Sequence, residues 1–333
     1  MARVVLHIGT HKTGTTTIQH VFARNREILQ EAGLIYPEVG RQPGHHALIA
    51  PWVNLPAVFH VGDDPDPLWV ALAERHAGDE GVVFLSSEEF SRATKNRRVD
   101  FGHVRKLLAG FEGVSVVCVL RDQASFLQSV FLEVAKKASQ PPSWQSFFTR
   151  SLASDLTTGL HLDYNNLYDQ LRADFAEDEI AFVSYNDACV HPDGLVGDML
   201  ERMGTRVSAG ELTGNRSVNV SPEPLAGWMA AAMAEKEGAP PVAVEAAVTA
   251  LRATHGSDVR TTIYTREELD AVLAKYQAPN ATFEHRIRER DPNFRFPDCR
   301  IGPDWIGRDR LDEIVWIRFA REIYYRLPDQ EPI

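Results

Sequence analysis

The sequence predicts an α/β protein: a parallel β-sheet flanked by helices, with a helical extension at its C-terminal end. Short apolar runs at Val4-Val5-Leu6, Gly81–Leu85, Val114–Leu120 and Ile180–Val183 have the length and composition of buried strands. Segments with helical spacing of apolar residues lie between them, and strands alternating with helices build a parallel sheet covered on both faces. Past about Arg206 the strand-like runs stop and alanine-rich segments take over. That change divides the chain into an α/β core over residues 1–205 and a helical extension over 206–333, expected to cover the edge of the core where ligands gather.

The first strand, Val4-Val5-Leu6, leads through a loop to Ile18, Val21, Phe22, Ile28 and Leu29, which mark one face of a single helix ended by Gly33. Leu34 to Pro37 reads as a short strand that the proline closes, and Gly40 to Gly44 as a turn-rich loop running into His45-His46. From Pro51 to Pro67, prolines and aspartates imply loop or short helical pieces, followed by a helix over Leu68–Ala77. The strand Gly81–Leu85 ends in Ser86-Ser87-Glu88-Glu89, a polar tip expected at the carboxyl edge of the sheet. A helix over Phe101–Phe111 precedes the strongest strand, Val114–Leu120, which ends in Arg121-Asp122 and passes into a helix carrying Phe126, Ser129, Val130 and Phe131. Leu160–Phe175 has helical spacing, and Ile180–Tyr185 is a further strand, followed by Asn186-Asp187. In the second half, Ser208–Pro224 reads as loop, Leu225–Glu237 and the stretch to Ala253 as alanine-rich helices, and Asp309–Leu327 as an amphipathic helix. Thr265 followed three residues later by Glu268 fits a capping box that opens a helix toward Tyr276.

With 333 residues and 44% hydrophobic residues the chain can bury a sizeable core. Its net charge of −11 argues against nucleic acid or an anionic membrane as the main partner. Three cysteines, Cys118, Cys189 and Cys299, have neither a disulfide pattern nor metal-ligand spacing. The first residues run straight into strand and loop, and no apolar run is long enough to span a bilayer, so a soluble cytoplasmic protein is expected.

The loop after the first strand, His7-Ile8-Gly9-Thr10-His11-Lys12-Thr13-Gly14-Thr15-Thr16-Thr17, carries the chemistry. A glycine-bearing loop between strand and helix aims backbone N–H groups, and the positive end of the helix dipole, at a phosphate. Gly9, four residues, Gly14 and then Thr15-Thr16 resemble the P-loop frame, with one change: Thr15 stands in the lysine slot, and the lysine lies inside the loop at Lys12. The run Lys12-Thr13-Gly14-Thr15-Thr16 resembles the 5′-phosphosulfate loop of sulfotransferases that use 3′-phosphoadenosine 5′-phosphosulfate (PAPS), in the form read K-T-G-T-T in a bacterial branch of that family.

The resemblance implies a P-loop-type sulfotransferase fold and a set of roles. The loop Lys12, Thr13, Gly14, Thr15, Thr16 and Thr17 would hold the 5′-phosphate through backbone amides around Thr13–Thr16 and the hydroxyls of Thr15 and Thr16, with Lys12 neutralising the leaving oxygen and no metal required. Arg121, with Ser129 eight positions on and an aromatic at Phe131, is similar to the family's 3′-phosphate motif, although Asp122-Gln123 departs from the usual following pair. Tyr185-Asn186-Asp187 is similar to the family's tyrosine-glutamate-aspartate turn near the adenine, with Asn186 in place of glutamate. Asn215-Arg216-Ser217-Val218-Asn219 is a weaker match to a loop of the bacterial branch, and the arginine-lysine-glycine run of animal cytosolic members is absent.

An acceptor needs a base, and four positions compete for that role. Glu88 follows a strand end, His46 has the better unperturbed pKa, and His45 or His11 are alternatives. Arg286, Arg288, Arg290, Arg295, Arg300, Arg308 and Arg310 are interspersed with acids and read as a mixed-charge solvated face, with a cover over the cofactor or a contact for an anionic acceptor such as an acidic glycan as the other options. The expected activity is transfer of a sulfuryl group from PAPS to a hydroxyl or amine acceptor, a glycan or small metabolite, releasing adenosine 3′,5′-bisphosphate. The rivals are a P-loop kinase using ATP and Mg²⁺, disfavoured by the missing lysine after Gly14, and a non-catalytic nucleotide-binding protein of the same fold.

Overall fold

A computed structural model describes residues 1–94, 97–137, 140–214, 223–234 and 238–326. The α/β class is as expected. The chain forms two compact units, Met1–Asp122 with Thr158–Arg216 and Ala278–Asp298, and Gln123–Thr157 with Ser217–Gln277 and Cys299–Ile333.

The first unit contains β1 (Arg3–His7), β2 (Leu34–Ile35), β3 (Val82–Ser86) and β4 (Val114–Leu120), with α1 (Thr15–Arg24), α2 (Arg26–Glu31), α3 (Asp66–His76) and α4 (Phe101–Leu107) between them. The second unit receives α5 (Gln123–Lys137), α6 (Trp144–Ser154) and the two-residue strand β5 (Leu156–Thr157). The chain then returns to the first unit with β6 (Leu160–His161), α7 (Tyr164–Arg172), β7 (Ile180–Ser184), α8 (Tyr185–Val190) and α9 (Gly194–Met203).

Among the described residues, the main sheet has five parallel strands in the order β2-β3-β1-β4-β7. Leu6 pairs in register with Leu85 on one side and Val116 on the other. The period-2 alternation of a strand sends Val4 and Leu6 to one face and Val5 to the other. On the first face they join Val83, Leu85, Val116, Cys118, Trp69, Phe101, Tyr164 and Phe283. On the second, Val5 joins Phe84, Val117, Val119, Ile18, Phe22, Met199 and Leu200. Both faces are buried, which is why these strands read as continuous apolar runs.

The helix expected from Ile18 to Leu29 is two helices. Asn25, at φ −121° and ψ 29°, breaks the turn between α1 and α2. Its Nδ2 donates to Val21 O at 2.6 Å and to Thr213 O at 3.0 Å, and its Oδ1 accepts from Thr213 N at 2.9 Å. A side chain that bonds nearby backbone competes with the helix ladder, and here a distant partner rewards the break. The helix expected from Leu160 begins at Tyr164 instead, because Asp163 is its N-cap and accepts from Asn165 N at 2.9 Å. Helix α6, opened by Ser143 as N-cap, was not expected.

The second unit is built mainly of helices. α10 (Pro224–Ala234), α11 (Pro241–His255) and α13 (Glu313–Arg326) bury Leu225, Met229, Ala246, Ala250, Leu251, Val315 and Phe319 together. Small alanine side chains let α10 and α11 approach closely. The capping box is formed: Glu268 N donates to Thr265 Oγ1 at 3.2 Å and Thr265 N to Glu268 Oε2 at 3.0 Å. It opens α12 (Arg266–Arg288), which runs past Tyr276, and through Pro279, into the first unit. Among the described residues no helix is long and apolar enough to cross a membrane.

Candidate active site

The chain leaves β1 at His7 and re-enters regular structure at Thr15. β1 lies between β3 and β4, where strand order reverses, and crevices at the carboxyl ends of strands at such a point are where open α/β sheets bind ligands. The start of the loop extends the β1–β4 ladder: Ile8 N donates to Val117 O at 3.0 Å and Thr10 N to Val119 O at 2.8 Å. From there the loop is tightly folded. Gly9 has φ 91°, and a Cβ on it would lie 2.9 Å from Glu88 Cβ. Gly14 has φ 79°, and a Cβ on it would lie 2.4 Å from Leu195 Cδ2. Both positions need glycine for conformation and for space.

The threonines divide their work. Thr13 Oγ1 and Thr15 Oγ1 both donate to Thr10 O, at 2.6 and 3.3 Å. Both side chains are buried, so their hydroxyls brace the loop from inside. Thr16 and Lys12 are exposed, and Thr17 is half-buried. Gly14 is the N-cap of α1, so no side chain caps that helix, and its first turn holds no acidic residue. The N–H groups and dipole of α1 therefore have no side chain of the cap or first turn competing with an anion.

Arg121 follows β4 and meets this loop. Its Nη1 donates to Lys12 O at 3.3 Å, and its guanidinium lies 5.4 Å from the centroid of the Tyr185 ring. Its own carbonyl accepts from the Tyr164 hydroxyl at 2.8 Å. Burial holds the Tyr164 phenol well above its ordinary pKa, so that group remains a donor. Tyr185 opens α8 rather than a turn, with Ser184 as N-cap accepting from Asp187 N at 3.3 Å. The structure thus brings Lys12, Arg121 and Tyr185 together. Ser129 sits half-buried on α5 of the second unit. Asn215 to Asn219 lie outside the described residues.

The competing bases lie at the tip of β3 and the loop beside it. Glu88 is half-buried next to Gly9, and its Oε2 accepts from Gln19 Nε2 at 3.1 Å. His46 Nδ1 lies 2.7 Å from Ser87 Oγ, with its ring edge-on to Phe59. His45 is a strut: Ser86 N donates to its Nδ1 at 2.8 Å, which leaves Nε2 to carry the proton donated to Pro37 O at 2.8 Å. Burial lowers its pKa to about 4 against the Pro37 bond, so it stays neutral near neutral pH. His11 faces Glu89 at 3.5 Å. Burial raises the Glu89 carboxyl, but the bonds and charges of His11 and Arg92 outweigh it and hold the group well below the carboxylate range. Among the described residues no three His, Cys, Asp or Glu side chains are grouped to hold a metal ion.

No protein-family model and no curated protein matches this chain. Solved structures similar to it include a sulfotransferase from Alicyclobacillus acidocaldarius, at 13% identity and TM-score 0.41, covering 77% of this chain and 96% of that one. Another is mouse sulfotransferase SULT7A1 complexed with PAP, at 13% identity and TM-score 0.37, covering 63% of this chain and 61% of that one. At these identities and TM-scores neither likeness assigns an activity or a ligand.

Three contributors were not legible in the sequence. Gln19 drew no reading from the sequence but is buried beneath the site. His7 read only as the first residue of the loop, yet it ends β1 and its ring is fully buried, stacks on Phe84, and lies 2.9 Å from Ser86 Oγ through Nδ1. Leu195 of α9 closes against Gly14. Gln19 had one detectable signal, a polar residue directly beside the apolar position Ile18 of an amphipathic helix.

Proposed function

We propose that the protein is a sulfotransferase that uses PAPS and sulfates a hydroxyl acceptor. The reading rests on one observation: an uncapped helix N-terminus behind a two-glycine loop, with an exposed lysine before the second glycine and Arg121 bonded to that lysine's carbonyl. A P-loop kinase needs its lysine after the second glycine, where this chain has the buried Thr15.

Backbone N–H groups at the start of α1 bind the 5′-phosphate. Lys12 neutralises the charge that grows on the departing phosphate oxygen. Arg121 takes the 3′-phosphate, and Tyr185 borders the adenine. PAPS when bound supplies the sulfuryl group and the leaving adenosine 3′,5′-bisphosphate. Glu88 removes the acceptor proton, supported by its place beside Gly9, directly under the loop.

Calorimetry tests the reading. Adenosine 3′,5′-bisphosphate is expected to bind without metal, and Lys12→Ala to weaken it at least tenfold. Binding of ATP with Mg²⁺ in preference to the bisphosphate would replace the reading with a kinase. A labelled-sulfate transfer screen over glycans, glycolipids and small alcohols identifies the acceptor.

A further inference from the structure

We infer that Gln19 is a positioning residue that ties the Glu88 carboxylate to the helix of the phosphate loop. The reaction it serves rests on the sulfotransferase reading; the contact itself rests on the geometry. Gln19 is 4% exposed and lies on α1 among Ile18, Val21 and Phe22. A primary amide buried there is costly unless its groups are bonded. Its Nε2 is shared among Ser86 O at 3.3 Å, Ser86 Oγ at 3.3 Å and Glu88 Oε2 at 3.1 Å.

The amide is also closed in from the other side. A Cβ on Gly44 would come within 2.6 Å of Gln19 Cδ, so the backbone entering His45-His46 lies directly on it. Gln19 therefore joins α1, the tip of β3 and the loop before the two histidines. Because its helix begins at the phosphate loop, a group held by α1 and a base held by Gln19 share one rigid frame. Holding Oε2 leaves Oε1 as the oxygen for an acceptor's proton. Other titratable groups near Glu88 are His7 on β1, Tyr36 after β2, and its neighbour Glu89 with His11 and Arg92. Gln19 is the neutral donor among them, which fixes position without adding charge.

The test follows the Glu88 carboxyl by carbon NMR in protein labelled at glutamate side chains, with Glu88→Gln identifying its signal. Gln19→Leu is expected to move the Glu88 carboxyl resonance at fixed pH and to raise that side chain's mobility in carbon relaxation, through loss of the donor. Gln19→Glu keeps the length but replaces the donor with a second carboxylate, and is expected to move the resonance and raise the mobility as well. It carries the test if Gln19→Leu does not fold. A resonance and relaxation unchanged from wild type in the folded variant overturn the inference. Calorimetry of the wild-type protein with adenosine 3′,5′-bisphosphate separates the two claims. A moved resonance without bisphosphate binding keeps the Gln19–Glu88 contact and removes the sulfotransferase reading; binding with an unmoved resonance does the reverse.

Discussion

Arg121 and Lys12, 109 positions apart, are joined by a hydrogen bond from the arginine Nη1 to the lysine carbonyl oxygen at 3.3 Å. The contact pins the one loop residue outside glycine that has a left-handed backbone, Lys12 at φ 61°, and orients the arginine over Tyr185. Arg121→Ala removes a charge and a brace at once. Bisphosphate affinity is expected to fall by more than tenfold, about 1.4 kcal/mol or more. Arg121→Lys is expected to recover little of it, because an ammonium lacks the planar fork that reaches the carbonyl while lying over the ring. Calorimetry with the three proteins decides.

Gly14 makes a second prediction. Gly14→Ala meets both a positive φ and Leu195 Cδ2, and is expected to cost about 1–3 kcal/mol of stability. Leu195→Ala in the same chain relieves the clash but not the φ. Denaturant midpoints of a double-mutant cycle should therefore show partial, not full, recovery.

Two buried imidazoles set an acid limit. Burial lowers His7 to about 4, against the Glu88 charge that raises it, and His45 likewise to about 4. Between pH 6.5 and 4 the unfolded chain binds protons that the folded one refuses, so stability falls as pH falls. Each histidine is expected to remove up to about 3 kcal/mol across that window. Urea midpoints at pH 7.5, 5.5 and 4.5 check this, and His7→Phe should flatten the slope. Glu89, whose pKa is depressed, loses its contribution only as pH falls below the ordinary carboxylate range.

The base is separable by substitution. Glu88→Gln is expected to lower transfer by a factor of about 10²–10⁴ while keeping bisphosphate binding. His46→Asn is expected to lower it less than tenfold, since its Nδ1 is engaged with Ser87. The reverse ranking in a labelled-sulfate assay would make His46 the base.

The local features were legible in the residues. Near-continuous apolar runs mark β1, β3 and β4 because a sheet buried on both faces needs no polar alternation. The glycine spacing of the loop and the Thr265–Glu268 capping box involve residues a few positions apart, and the chain itself holds them together. What the sequence could not supply is who meets whom across the sheet. Gln19 reaches Glu88 across 69 positions, His45 bridges Pro37 and Ser86, and Asn25 breaks its helix for Thr213, 188 positions on. A buried polar group is stable only where distant partners satisfy it, and the strand order β2-β3-β1-β4-β7 selects those partners. The amino-acid order determined the strands of the main sheet, the loop and its lysine; the tertiary structure alone decided which polar side chains stand beside them.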